Sequence, residues 1–130
     1  MIRQEKDWFM RQIQMLAQFV ARAVFGRDVS FESFEMIAEE AQAGDIGALY
    51  THLKELLAAG DICTAENTLH DGFEDSKAYV HLAMWFYHEL SAMTDEALAA
   101  ADFSREEIYV GLRDVLHQSG VPLSFLTEAM

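Results

Sequence analysis

The sequence predicts an all-α fold, a compact array of antiparallel helical hairpins with about six helices, tetratricopeptide-like in its middle. Three observations predict it. Apolar residues recur at spacings of three and four through most of the 130 residues, the period of a helix face. Helix punctuation recurs too, with Gly where helices should stop and Ser, Thr or Asp where they should start. Pro122, just beyond the helix stop at Gly120, prevents the last long helix from continuing.

Taken in order, the first helix is expected from about Gln4 to Phe25, with Gly26 ending it in the left-handed conformation. Phe9, Ile13, Leu16, Val20 and Ala23 form one stripe, and Trp8, Met15 and Phe19 a second beside it. Two stripes require two partners. Either both are covered within one chain, or Trp8, Met15 and Phe19 form a subunit interface, where aromatic and Met side chains are enriched. Ser30 can cap a second helix through about Ala43, with Phe31, Phe34, Ile37, Ala38 and Ala41 in phase.

An internal echo follows: Ala43-Gly44-Asp45-Ile46 recurs as Ala59-Gly60-Asp61-Ile62, sixteen residues later. In each copy Gly ends one helix and Asp accepts hydrogen bonds from the free amides of the next. The helix between the echoes turns Leu49, Leu53, Leu56 and Leu57 inward; the one after turns Ile62, Ala65, Leu69 and Phe73 inward. This hairpin is similar to one tetratricopeptide unit, but no second copy follows at the thirty-four-residue period of such arrays.

Tyr79 to Leu90 is the most apolar and aromatic stretch, and its apolar arc is too wide for one neighbour, so it is the expected central helix, opened by Asp75 or Ser76. Thr94 caps a brief connector through Ala101. Ser104-Arg105-Glu106-Glu107 has the form of a capping box opening the last long helix, which turns Ile108, Gly111, Leu112 and Val115 inward and stops at Gly120. A mid-helix Gly costs about 1 kcal/mol against Ala, so Gly111 implies close approach of another helix. The whole reads as a single domain: a basic leading helix over 1–27, a helical-hairpin body over 28–122 and a tail over 123–130, whose Leu123, Phe125 and Leu126 suit folding back on the core.

Charge limits the function. Of the net −13, residues 1–27 carry five basic and two acidic side chains, leaving four basic against twenty acidic beyond. Such a body repels nucleic acid, and no basic patch offsets it. The basic first segment is suited to docking on protein, its own acidic body or another chain. The apolar run from Ile13 to Phe25 is interrupted by Gln14, Gln18 and Arg22, so neither a membrane span nor a secretory leader is expected. The lone Cys63 forms no intramolecular disulfide and points to a cytoplasmic setting.

Chemical motifs are sparse. No HExxH, phosphate-cradling Gly loop or GxSxG occurs, and five histidines give only one Asp-x-x-His, Asp114 to His117, so no cofactor or metal is expected. His81 and His88 share a face with Lys77 and Ser91, which reads as a solvent stripe. Cys63 reads as a half-buried apolar residue with no base beside it. Glu66 is the anomaly, because it falls between Ile62, Leu69 and Phe73 on an inward face, where a carboxylate must find donors. His70, the Trp85 indole, the Tyr87 hydroxyl and the free amides at a neighbouring helix start are the candidates.

The elements Arg11-Gln12-Ile13, Gly60-Asp61-Ile62 with Ala65-Glu66-Asn67, Trp85-Phe86-Tyr87, and Phe103 to Ile108 with Gly111-Leu112 resemble a small family of uncharacterised bacterial helical proteins, a domain of unknown function. The resemblance spans nearly the whole chain and implies the fold but no activity, ligand or functional residue. Two functional readings stand: a non-catalytic protein-interaction or structural module, with self-association through the first helix as one form, or a small-molecule- or metal-binding bundle, possibly enzymatic, with a pocket near Glu66, His70, Trp85, Tyr87 and His88.

Overall fold

The structure is a computed structural model that describes residues 2–26 and 44–121. Six α-helices lie among the described residues: α1 (Ile2–Phe25), α2 (Gly44–Ala58), α3 (Ile62–Asp71), α4 (Lys77–Ser91), α5 (Asp95–Ala100) and α6 (Arg105–Gln118). The second helix expected from Ser30 to Ala43 and the tail beyond Val121 lie outside the described residues.

The centre is α4. It packs against α1, α2 and α6, α1 also packs against α6, and α2 pairs with α3. Ten of its fifteen residues are buried, so its apolar arc is enclosed as its width requires. Leu82, Phe86 and Leu90 are fully buried, and each such side chain contributes about 1.5–3 kcal/mol of transfer free energy. Against this helix α1 buries Ile13, Leu16, Val20 and Ala21, while α6 buries Ile108, Leu112, Val115 and Leu116. Ala23, expected in the α1 stripe, is exposed. The contact surface follows the 3.6-residue drift toward Ala21 and Val24.

Local signals act where expected. Gly26, Gly60 and Gly120 take φ of +70, +78 and +83, the left-handed region that only Gly enters without strain. Asp61, Ser76, Thr94 and Ser104 are N-caps, each side chain accepting an amide hydrogen bond from the third residue on. Two details differ from expectation. Asp45 lies inside the first turn of α2 rather than at its cap, where its charge still favours the helix dipole. Glu107 does not reach back to the Ser104 amide; its carboxylate accepts from the Ser104 hydroxyl at 3.2 Å, so the box is only half formed. The hairpin of α2 and α3 turns at Gly60-Asp61, and the likeness to a tetratricopeptide unit rests on that turn alone.

Candidate functional site

The inward phase of α3 carries the site. The Asp61 cap fixes where α3 starts, so Ile62, Ala65 and Leu69 are buried and Glu66 is drawn in between them. Its carboxylate accepts a 2.7 Å hydrogen bond from the Tyr87 hydroxyl of α4. His70, one turn further along α3, places Nε2 3.0 Å from the same hydroxyl oxygen and 3.9 Å from Glu66 Oε2. A phenol has one hydrogen, and Tyr87 gives it to Glu66; the Tyr87 oxygen therefore accepts, and His70 Nε2 carries the donated proton. The result is a directional chain from imidazole to phenol to carboxylate. Burial, followed by the charge of Glu66, drives the Tyr87 phenol far above the ordinary tyrosine range.

Gly111 of α6 closes the site. A Cβ there would collide with Glu66 Oε2 and lie 2.6 Å from the Tyr87 hydroxyl and 2.9 Å from its ring. The close approach that a mid-helix glycine implied is therefore made by two side chains, and not by the backbone of a neighbouring helix. A second tyrosine repeats the tie from α4 to α3: the Tyr79 hydroxyl donates to the Leu69 carbonyl at 2.7 Å. Burial pushes its phenol up to about 12.

Of the five residues proposed around this point, the structure brings together Glu66, His70 and Tyr87. Trp85 turns toward α2, its ring edge-on to Tyr50 with centroids 4.8 Å apart. His88 is half-buried on a different side of α4, and its Nδ1 has no hydrogen-bond partner among the described residues. His81 corrects the solvent-stripe reading: it is buried, with its ring edge-on to Phe25 at 5.6 Å. The cause is α1, which covers the face that a single-helix projection left to water. Cys63 is exposed rather than half-buried. Partial desolvation and the carboxylates of Glu107, Asp102, Asp61 and Glu66 push its thiol up, the opposite of what a nucleophile requires.

On α1, Trp8 is half-buried, 5.6 Å from the Tyr109 ring and 5.0 Å from that of Phe9. Phe19 is half-buried against the core. Met15 is 40% exposed, the one large apolar side chain so exposed among the described residues. Sequence reasoning missed Arg105. Its guanidinium donates to the Ser91 and Met93 carbonyls at 3.1 and 2.8 Å and to Asp95 at 3.0 Å, tying the C-terminus of α4 to the start of α5. Lys6 of α1 reaches the same carboxylate at 3.5 Å. The Arg105 hydrogen bond, together with the Lys6 charge, holds Asp95 below its usual value. A cation in the first turn of a helix opposes the dipole, and that mismatch was the signal that Arg105 serves a partner elsewhere.

Among the described residues no three His, Cys, Asp or Glu side chains gather as metal ligands, and no helix is long and apolar enough to cross a membrane. Fold and site together define a small all-helical domain, its core centred on one buried aromatic helix and latched to a hairpin by tyrosine hydroxyls. The chain belongs to a family of unknown function, DUF6483, whose model matches residues 3–120. No curated protein and no solved structure matches it.

Proposed function

We propose that this domain is a non-catalytic helical module that binds protein through the outer face of α1. The observation that supports this is Met15, exposed in the middle of that face and flanked by exposed Arg11 and Arg22, on the one basic segment of a strongly acidic chain. In the body, Glu66 is engaged with Tyr87 and His70, and Arg105 with Asp95. An exposed apolar side chain among cations suits a partner surface. The single thiol supports a reducing, cytoplasmic setting. In the test, native lysate is passed over immobilised parent and Met15→Asp chains. Loss of the captured species from Met15→Asp with an unchanged melting curve is expected; equal capture would remove α1 from the reading.

A second reading has its own observation. Glu66 and His70 side chains are 22% and 32% exposed, so the chain of hydrogen bonds reaches solvent and can meet a small ligand or metal there. Calorimetric titration with zinc or an alkylamine, repeated on Glu66→Gln, tests it: saturable heat lost in the variant would favour this reading over the first.

A further inference from the structure

We infer that the partner met by α1 is a second copy of this chain, bound antiparallel across a two-fold axis between Gln14 and Met15. The inference rests on the reading of α1 as a binding face and names its occupant. The exposed row along the outer side of α1 is Asp7, Arg11, Gln14, Met15, Gln18 and Arg22, which share one face of the helix. The row is self-complementary when reversed. Two antiparallel copies set Asp7 opposite Arg22, Arg11 opposite Gln18 and Gln14 opposite Met15, each pairing occurring twice, as an isologous interface requires. In parallel register the same row sets Asp7 on Asp7, Arg11 on Arg11 and Arg22 on Arg22, like charges throughout. Charge complementarity therefore selects the orientation. Antiparallel helices also oppose their dipoles. Arg22 also interacts within its own chain.

Exposed ion pairs and the two Met15–Gln14 contacts make a weak dimer, with a Kd on the order of 100 µM. Sedimentation of the full chain from 10 to about 500 µM, a range set around that value, should show reversible monomer–dimer exchange that weakens with salt. Asp7→Arg and Arg22→Asp, each alone, should weaken association about tenfold, and the double variant should restore it, because the reversed charges again face each other. Orientation is read in a Cys63→Ser background. Gln14→Cys, about 1.5 Å along the axis from its counterpart, should form a disulfide-linked dimer under mild oxidation. Gln18→Cys, on the same row but about 10 Å along the axis from its counterpart, should not. Cross-linking at both positions, or failure of the double charge reversal to restore association, overturns the antiparallel pairing. A chain that stays monomeric throughout overturns the dimer altogether, and Met15→Asp then still distinguishes a binding face for a different protein from no binding face at all.

Discussion

Gly111→Ala sets two opposed magnitudes against each other. Ala is the better helix former by about 1 kcal/mol, and a substitution in open space would stabilise α6 by that amount. Here the added methyl falls 2.6 Å from the Tyr87 hydroxyl and 2.9 Å from the Tyr87 ring, well inside contact distance, and collides with the Glu66 carboxylate. Glu66 can yield, since its side chain is flexible and 22% exposed. Tyr87 cannot, because it is fully buried with its ring edge-on to Phe86 at 5.1 Å. Overpacking of this kind costs about 1–3 kcal/mol. Displacing Glu66 removes the acceptor of a buried hydroxyl, at a further cost of about 1–2 kcal/mol. The net expectation is a loss of about 2 kcal/mol, or a fall in Tm of about 8 °C for a domain of this size. Urea unfolding followed by far-UV circular dichroism measures it. Tyr87→Phe supplies the control: with the hydroxyl gone, the additional cost of Gly111→Ala should fall by about half, and the pair should couple by about 1 kcal/mol in a double-mutant cycle. A Gly111→Ala chain as stable as the parent or more so would refute the reasoning, because helix propensity would then outweigh a collision that does not exist.

Other outcomes follow from the same geometry. Glu66→Gln keeps an acceptor for Tyr87 and should cost under about 1 kcal/mol, whereas Glu66→Leu removes it and should cost about 1–3 kcal/mol, both read from urea midpoints. Arg105→Met leaves the Ser91 and Met93 carbonyls without their donor and should lower stability by about 2 kcal/mol, a loss that high salt does not reproduce because the guanidinium is only 10% exposed. In alkali, Tyr79 ionises at about 12 when folded but at the ordinary value near 10 when unfolded, so its contribution is complete below about pH 10 and is lost as pH rises through 12. Absorbance at 295 nm should accordingly show Tyr79 and Tyr87 ionising only as the chain unfolds. Cys63 should react with a thiol reagent in the native state, yet at pH 7 more slowly than a free thiol, since its raised pKa leaves little thiolate.

Helix starts and stops were legible because their causes lie within four residues. Asp61, Ser76, Thr94 and Ser104 each satisfy an amide three positions on, and Gly26, Gly60 and Gly120 supply a conformation that other residues resist. Enclosure of α4 followed from the width of its apolar arc, and the inward Glu66 was visible from helical phase, with Tyr87 and His70 already among its candidate donors. Tertiary structure decided which side chains met. Periodicity assigns a residue to a face but does not say which helix covers that face, so His81 looked solvated until α1 lay over it, and Trp85 turned to Tyr50 rather than to Glu66. The same limit applies to Gly111, whose lack of a side chain was evident in sequence while the two side chains needing that space come from α3 and α4. Arg105 reaches carbonyls twelve and fourteen residues back because α5 folds the chain over on itself, and no local rule carries that distance. Local hydrogen bonding sets the elements; the rotation and crossing of packed helices, fixed only when every face is covered at once, sets the contacts.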